Sequence, residues 1–409
     1  MRAGIGVRFG TGRSGSAGVV ILRQFLLKLH GRCNLSCSYC YVYEAADQSW
    51  RAKPRRMESS TVRRTAERIA EYQRGGDAFS VILHGGEPLL VGSRHLDETL
   101  RVLRGALGDR ASLWLQTNGI LLRDPEILRV LRDHGVRVGV SVDGSARDHD
   151  RNRRFGDGRG SHRSVVEGIA ALRAEPNKPL YAGVLCTVDL ASEPVETYEA
   201  LLDLEPPRMD LLLPHGNWSA PPPGLPGGTP PAAPPVPGGT PTPYADWLCA
   251  VFDRWYRAPR RETGIRLFEE LIMLILGGRA ASELVGTGAA DLVVVETDGT
   301  LELADSLKIA YDGAAATGLD VVRNSFDEVT RHPAFVPPPR AKVCGDCALE
   351  RICGGGLHAH RYRAGAAEPF VQPTVYCQDM AVLIAHIRDA LGRDVAALRE
   401  RKMQGAGAR

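Results

Sequence analysis

Residues 22–40 read LRQFLLKLHGRCNLSCSYC, an apolar strand pattern that runs directly into a loop with three cysteines. Similar short runs rich in Val, Leu and Ile recur at 79–84, 112–116, 137–142, 180–187 and 209–214. Amphipathic helix patterns lie between these runs, at 61–73, 96–107, 124–133 and 163–174. Parallel strands need long crossovers, so this alternation predicts an α/β fold with a parallel sheet. Right-handed crossovers curl such a repeat toward a barrel or a doubly wound sheet.

Polar and glycine residues follow the predicted strands at the point where each strand ends. They are Cys33–Cys40, Gly85–Pro88, Thr117–Gly119, Asp143–Gly144 and His215–Trp218. Functional groups of parallel sheets lie beyond the carboxyl ends of the strands. The sequence therefore predicts one site at that edge.

The bulk composition is that of an ordinary globular protein. The 409 residues carry a formal charge of +3, with 44% hydrophobic and 24% charged residues. This balance gives no support for a nucleic-acid or membrane-surface partner. No stretch is long and apolar enough for a membrane span or a secretory signal, so we expect a cytoplasmic protein. In a reducing compartment, clustered cysteines are more often metal ligands than disulfides.

The first cysteine cluster has the spacing Cys33-x3-Cys37-x2-Cys40. Three thiolates on one loop can hold three irons of a 4Fe–4S cluster and leave the fourth iron open. An open metal position is what a substrate-activating centre needs. The spacing alone leaves two alternatives, a zinc site that lacks its fourth ligand and unliganded loop thiols.

The segment Gly85-Gly86-Glu87-Pro88 follows the second strand, beside the cluster loop. Glycines without side chains let the backbone approach a ligand closely. A carboxylate at Glu87 can accept hydrogen bonds from an ammonium group. Placed at the end of the neighbouring strand, this segment predicts a ligand-binding turn.

Together, CNLSCSYCY and GGEP resemble the signature motifs of the radical S-adenosylmethionine (SAM) family. The resemblance implies a partial (β/α)6 TIM-like barrel that binds a 4Fe–4S cluster and SAM and takes electrons from a donor such as flavodoxin or ferredoxin. It implies cluster ligands at Cys33, Cys37 and Cys40. It also implies SAM contacts at Tyr39, Gly85, Gly86, Glu87, Thr117, Asn118, Ser141 and Asp143.

A second set contains four cysteines: Cys344, Cys347, Cys353 and Cys377. Four thiolates make a full ligand set, so this metal site would have no obvious open position. A structural zinc site is the generic alternative. The spacing is similar to the SPASM extension of radical SAM peptide maturases, which usually carries two auxiliary clusters. Leu357 stands where one further cysteine ligand would be, and no cysteine lies between 250 and 343. We therefore predict one auxiliary 4Fe–4S cluster, with a role in electron transfer or bracing.

The resemblance divides the chain into six segments. They are a disordered tail (1–21), the radical SAM barrel (22–216), a Pro/Gly-rich insertion (217–243), a bridging helical and hairpin region (244–340), a SPASM-like domain (341–380) and a C-terminal helix and tail (381–409). In the bridging region, Asp298-Gly299 predicts a hairpin turn within 292–303.

Four strings resemble the FxsB-type radical SAM/SPASM peptide maturases: VYEAADQSW, LLLPHGNW, LADSLKIAYDG and CGGGLHAHRYR. That resemblance implies a short ribosomal precursor peptide as partner and a cross-link from an aromatic ring to a Cβ, a cyclophane. A 5′-deoxyadenosyl radical would take a hydrogen from Cβ, a base would take the ring proton, and the auxiliary cluster would take the surplus electron.

Asp305 is the candidate base, because it lies where related sulfatase maturases have an Asp after an auxiliary-cluster cysteine; Ala304 replaces that cysteine here. A hairpin-end Asp is the alternative interpretation. His215 could contact SAM or substrate, or simply cap its loop. His358 and His360 are predicted to lie at the surface rather than to donate to cluster sulfurs. Cys186 and Cys249 are predicted to be core thiols.

Two other classes of function remain open from the sequence. The first is a different radical reaction on a peptide: thioether formation, oxidation to formylglycine, or epimerisation. The second is a non-catalytic zinc or iron–sulfur scaffold. A protein that holds only zinc and never makes 5′-deoxyadenosine would favour the scaffold.

Overall fold

The computed structural model of the protein describes residues 21–73, 78–235, 240–280, 282–288, 291–336 and 339–406. The predicted disordered tail lies outside these residues apart from Ile21, and so does part of the Pro/Gly-rich insertion, 236–239.

The described residues contain ten strands and twelve α-helices. The strands are β1 (Gln24–His30), β2 (Phe79–Gly85), β3 (Ala111–Thr117), β4 (Arg137–Ser141), β5 (Tyr181–Thr187), β6 (Arg208–Leu212), β7 (Gly264–Ile265), β8 (Leu292–Val295), β9 (Thr300–Glu302) and β10 (Ala316–Asp320). The helices are α1 (Ser59–Tyr72), α2 (Gly92–Leu107), α3 (Pro125–Asp133), α4 (Ala146–Asn152), α5 (His162–Arg173), α6 (Pro194–Leu202), α7 (Pro243–Tyr256), α8 (Arg266–Ile275), α9 (Phe326–Val329), α10 (Lys342–Gly345), α11 (Glu350–Cys353) and α12 (Cys377–Ala406).

These elements form two compact units, and neither is continuous in sequence. The first unit holds the residues up to Ser141 together with Arg153–Ala182 and Ala289–Pro337. The second holds Val142–Asn152, Gly183–Gly288 and Pro338–Arg409. The six segments predicted from the sequence stay predictions.

The sheet of the first unit has the strand order β10-β9-β8-β1-β2-β3-β4. Strand β1 pairs in parallel with both β2 and β8, and β2, β3 and β4 continue the parallel run. In the second unit, β6 lies between β5 and β7, again in parallel. All six predicted strands are present within two residues of their expected bounds, so the α/β fold with a parallel sheet is confirmed.

The helices of the first unit cover the sheet with one apolar face. In α1 the buried residues are Val62, Thr65, Ala66 and Ile69, a spacing of three and four that follows the helical period. Helix α2 buries its own row in the same way and packs beside α1. This packing fixes the loops at the carboxyl ends of β1, β2 and β3.

The predicted hairpin around Asp298-Gly299 is confirmed as the antiparallel pair β8–β9. Gly299 has a left-handed backbone with φ of 88°, which glycine adopts without steric strain. Because β8 pairs with β1, this hairpin brings residues near 300 beside residues near 28.

In the second unit, the buried Asp379 of α12 caps helix α7. Its carboxylate accepts hydrogen bonds from the backbone N–H groups of Tyr244 and Ala245, at 2.9 and 3.0 Å. Residues 217–235 and 240–242 of the Pro/Gly-rich insertion have neither helix nor strand, and α7 begins at the last residue of the insertion, Pro243. Among the helices that the structure describes, none is long and apolar enough to cross a membrane.

Candidate functional site

The first cysteine cluster lies in the loop after β1, and its three thiols are half-buried. The thiol of Cys33 accepts hydrogen bonds from the Leu35 backbone N–H (3.4 Å) and the Asn118 amide (3.7 Å). Burial, together with smaller effects of negative charge on Glu87, Cys37 and Cys40, raises the pKa of Cys33 to about 12. The three thiols are therefore near enough to repel one another when ionised, which is the situation that a bound cation relieves.

The two glycines after β2 let the backbone of this strand end approach the cluster loop. A Cβ on Gly85 would lie under 3.0 Å from the carbonyl of His30, and Gly85 has a φ of +148°. A Cβ on Gly86 would lie under 3.0 Å from the carbonyl of Arg32, directly before Cys33. The sequence predicted that this glycine segment approaches a ligand closely. The close approach seen in the structure is to the backbone of His30 and Arg32.

Glu87 is fully buried and joins the ends of β2 and β3. Its Oε1 accepts from Thr117 Oγ1 (2.7 Å) and from the Leu89 backbone N–H (3.0 Å), while Oε2 accepts from the Asn118 N–H (2.8 Å). Burial raises the pKa of this carboxyl, and the three hydrogen bonds oppose that shift. A carboxylate offers about four lone-pair positions, so one remains on Oε2 among the contacts described here.

Three other residues of the predicted SAM pocket have defined places. The Tyr39 hydroxyl accepts a hydrogen bond from Arg153 at 2.8 Å. Ser141 ends β4 in the first unit. Asp143 belongs to the second unit, where it is buried and accepts from the Thr187 N–H at 3.1 Å. The first unit therefore brings Cys33, Glu87, Thr117 and Asn118 together, and Asp143 is held by a separate set of contacts.

Asp305 lies in a buried ion-pair cluster that was not predicted. Its Oδ1 is 2.8 Å from Lys28 Nζ and 3.6 Å from Lys308 Nζ. Glu296 pairs with both lysines, at 3.0 and 2.8 Å, and Glu302 pairs with Lys308 at 2.9 Å. We call these five residues, Lys28, Glu296, Glu302, Asp305 and Lys308, the carboxylate–lysine cluster. Each is at most 6% exposed.

The charges of the carboxylate–lysine cluster are unequal, with three carboxyls facing two ammonium groups. Burial opposes ionisation of Glu296, but Lys28 and Lys308 hold its pKa well below the usual range. Burial and the nearby Glu296 raise the pKa of Glu302. The three carboxylates are near enough to share a cation, and the lysine ammonium groups already supply that charge.

The four cysteines of the second set lie together in the second unit. They line one cavity with Gly355, Thr374 and Pro373. Burial raises the pKa of Cys353 to about 11 and that of Cys377 to about 12, and negative charge on neighbouring cysteines adds to both shifts. Four soft sulfur ligands around one cavity fit zinc or an iron–sulfur cluster.

The CGGG segment after Cys353 wraps this cavity. Gly354, Gly355 and Gly356 all have left-handed backbones, with φ of 68°, 82° and 71°. The guanidinium of Arg361 donates to the carbonyls of all three. A run of this kind is strained for any residue with a Cβ, so the three glycines are required by the path of the loop.

The prediction that His358 and His360 lie at the surface is wrong for His360, which is 1% exposed. Its Nε2 lies 3.2 Å from Nδ1 of His215, and burial lowers its pKa. Burial also lowers the pKa of His358 to about 4. Cys186 is a core thiol as predicted, whereas Cys249 is only half-buried.

Comparison with known proteins agrees with this geometry. Residues 27–204 match the model of the Radical SAM superfamily. A cysteine-type anaerobic sulfatase-maturating enzyme of Clostridium perfringens is 23% identical over 361 residues, covering 85% of this chain and 90% of that protein.

Two solved structures are similar in fold. Native anSMEcpe with bound AdoMet and Cp18Cys peptide superposes with a TM-score of 0.72 at 20% identity, covering 92% of this chain and 99% of that one. SuiB of Streptococcus suis bound to its precursor peptide SuiA gives a TM-score of 0.55 at 12% identity, covering 88% and 76%. The match identifies residues 27–204, which include the cysteine loop and the GGEP turn, as a radical SAM domain, and the cofactors of such a domain are SAM and a 4Fe–4S cluster.

Proposed function

We propose that this enzyme matures a ribosomal peptide by joining an aromatic ring to a Cβ, with Asp305 as the base. The observation that carries the proposal is the different surroundings of the two Asp305 carboxylate oxygens. Its Oδ1 faces two lysines, whereas Oδ2 is buried and has no hydrogen-bond donor in the described chain. A base needs an ionised carboxylate with a free lone pair, and this oxygen offers one.

Cys33, Cys37 and Cys40 would hold the cluster, with SAM at its open iron. The unused lone pair of Glu87 Oε2 supports a contact to the SAM amino group, since an ammonium ion needs acceptors of this kind. Gly85 and Gly86 would supply backbone contacts, and Tyr39, Thr117, Asn118 and Ser141 would complete the part of the pocket that the first unit provides; the contact of Asp143 with SAM stays a prediction from the resemblance. Bound there, SAM and the reduced cluster supply a 5′-deoxyadenosyl radical that can abstract hydrogen from an unactivated carbon.

Cys344, Cys347, Cys353 and Cys377 would hold one auxiliary 4Fe–4S cluster. Their common cavity supports a single polynuclear centre, and all four thiols are used as ligands. Zinc would fit the same donor set, so iron analysis decides between them. Leu357 stands where the other auxiliary cluster of the SPASM pattern would need a cysteine ligand, so we propose one auxiliary cluster and not two.

The overall loss from the peptide is two hydrogens. One leaves the Cβ as a hydrogen atom and ends on 5′-deoxyadenosine. The other leaves the aromatic ring as a proton, for which Asp305 is the acceptor, and its electron requires an oxidised one-electron acceptor such as an iron–sulfur centre. Lys28 and Lys308 pair with the other oxygen of this carboxylate, at 2.8 and 3.6 Å.

Formylglycine formation is the second candidate, favoured by the sulfatase-maturating relative. It would use the same residues, because a hydrogen atom also leaves a Cβ and a proton also leaves the substrate. The peptide-bound fold relatives support a peptide substrate in both cases. The two reactions differ in the product, which is a ring in one case and an aldehyde in the other.

Co-expression of the full chain with a short open reading frame encoded beside its gene tests the proposal. We expect a peptide two hydrogens lighter that gives no backbone fragments between the two joined residues and does not react with a hydrazide. A hydrazide-reactive product would overturn the cross-linking assignment in favour of formylglycine. A zinc-only protein that makes no 5′-deoxyadenosine would favour the scaffold.

The role of Asp305 is tested with Asp305→Asn, and Asp298→Asn in the turn of the preceding β8–β9 hairpin is the matched control. Asp298 lies at the hairpin turn and pairs with Lys53 at 3.0 Å. We expect the Asp305 variant to keep making 5′-deoxyadenosine while the modified peptide falls at least about a hundredfold, the usual weight of a general base. The control should retain both activities. Equal product from both variants would remove Asp305 from the mechanism.

A further inference from the structure

Two buried hydrogen-bond donors beside the first cysteine cluster have no acceptor in the described structure. Tyr43 follows Cys40 by three residues, and its hydroxyl is buried without a partner. Its ring meets Trp50 edge to face at 4.9 Å, and the indole N–H of Trp50 is unpartnered as well. Native proteins leave few buried donors unsatisfied, so each such case calls for an acceptor.

The position of the Tyr43 hydroxyl is fixed by Gly86. A Cβ on Gly86 would clash with the hydroxyl oxygen, so the missing side chain of this glycine makes the space that the hydroxyl fills. The nearby Arg32 carbonyl accepts from the Glu87 N–H (2.9 Å), and it makes no hydrogen bond with the Tyr43 hydroxyl. The hydroxyl therefore lies where the GGEP turn meets the cluster loop.

The chemistry of this place favours donation to sulfur. Burial raises the pKa of Tyr43 far above its ordinary value, and negative charge on Cys33 and Cys40 raises it further. The hydroxyl thus stays protonated and remains a donor. The acceptors that a 4Fe–4S cluster would bring are its sulfides and the thiolates of Cys33 and Cys40, all rich in negative charge.

We propose that the Tyr43 hydroxyl donates a hydrogen bond to a sulfur of the cluster held by Cys33, Cys37 and Cys40, and that this bond raises the reduction potential. Hydrogen bonds to cluster sulfurs favour the reduced form because it carries more negative charge. Through this hydrogen bond, Tyr43 would make electron uptake by the cluster easier. This inference requires the cluster but is independent of the peptide reaction.

The test is a redox titration of the SAM-free, anaerobically reconstituted full chain, followed by the paramagnetic signal of the reduced cluster. In Tyr43→Phe we expect the equilibrium constant for reduction to fall about fivefold, the weight of one net hydrogen bond. At 59 mV per tenfold change, this is about 40 mV to lower potential. Only loaded clusters give the signal, so partial loss of iron does not affect the measurement. The signal of the first cluster is recognised in a parallel sample as the one that changes when SAM is added, because the auxiliary cluster has no open iron.

The matched control is Tyr72→Phe in α1, which removes a hydroxyl that accepts from the Leu22 N–H at 3.0 Å. Its potential should equal that of the unaltered protein. A second variant, with fluorotyrosine incorporated at position 43, keeps the hydroxyl but makes it a stronger donor and should raise the potential.

Three results would overturn the inference. The first is an unchanged potential in Tyr43→Phe. The second is an equal shift in Tyr72→Phe. The third is weaker SAM binding by Tyr43→Phe at unchanged potential, because this pattern would assign the hydroxyl to SAM instead of the cluster. The potentials of both variants and SAM binding by Tyr43→Phe can be measured even if the proposed peptide reaction does not occur. Failure of this inference and failure of the proposed function are therefore distinguishable.

Discussion

Gly86→Ala and Gly105→Ala make the same chemical change with expected effects of opposite sign. A Cβ on Gly86 would lie under 3.0 Å from the Arg32 carbonyl, and this neighbour is backbone that cannot rotate away. A Cβ on Gly105, in helix α2, would have nothing within 4 Å. The first change must therefore move the chain before Cys33, whereas the second only replaces glycine by a better helix former.

The expected loss of unfolding free energy in Gly86→Ala follows from the contacts that the new Cβ would push apart. Two hydrogen bonds hold the GGEP turn against the chain that leads into the cluster loop. They run from the Gly86 N–H to the His30 carbonyl (2.8 Å) and from the Glu87 N–H to the Arg32 carbonyl (2.9 Å). Weakening them while overpacking a tight contact should cost about 2–4 kcal/mol of unfolding free energy. Gly105→Ala should stabilise by up to about 1 kcal/mol.

Thermal unfolding of both cluster-free variants, followed by circular dichroism, measures the difference. At about 2–4 °C per kcal/mol, Gly86→Ala should lower the first transition by about 4–16 °C, and Gly105→Ala should raise it by at most about 4 °C. Iron content after reconstitution should also fall in the first variant only. Equal transitions in the two variants would refute the argument that Gly86 is required by close backbone contact.

Three further changes test the buried charges, the second cysteine set and a buried histidine. Lys28→Met leaves the carboxylate of Asp305 short of a partner at 2.8 Å and should lower the unfolding free energy by about 3–5 kcal/mol, measured by chemical denaturation. Arg361→Gln removes the donor to the carbonyls of Gly354–Gly356, so iron per chain should fall toward the content of the other site. Burial lowers the pKa of His84 to about 4 from 6.5, so its neutral form supports the fold above pH 6.5 and this support is lost as the pH falls toward 4. The loss is about 2 kcal/mol at pH 5, and His84→Gln should therefore show a smaller drop in Tm between pH 7.5 and 5.

The parts of the site that the sequence predicted are those whose residues are close together in the chain. Cys33, Cys37 and Cys40 lie within eight residues, and GGEP is one turn. Their spacing follows from a local demand, which is to aim three thiols at one point and to let the backbone pass closely. Such demands leave a pattern that needs no knowledge of the tertiary fold.

The carboxylate–lysine cluster could not be found in this way. Lys28 and Glu296 are separated by 268 positions, and only the parallel pairing of β1 with β8 brings them together. A lysine in an apolar strand predicts a solvent-facing position, because an unpaired charge is costly to bury. The available signal was weak. Lys28 interrupts an apolar run, and LVVVETDGTLEL places three acids, Glu296, Asp298 and Glu302, in a hairpin whose strands are otherwise mostly apolar.

The same cluster explains how Asp305 can occupy its position without the auxiliary-cluster cysteine that Ala304 replaces. An unpaired charge is costly to bury, and Lys28 and Lys308 supply positive charge beside Asp305 at 2.8 and 3.6 Å. Burial and the nearby Glu296 raise the pKa of Glu302, so we expect a surplus proton of the cluster at Glu302. If this division is correct, Glu302→Gln should be tolerated in unfolding experiments, whereas Glu296→Gln, which neutralises the acid paired with both lysines, should be destabilising. Equal losses in the two variants would show that the proton is shared rather than held at Glu302.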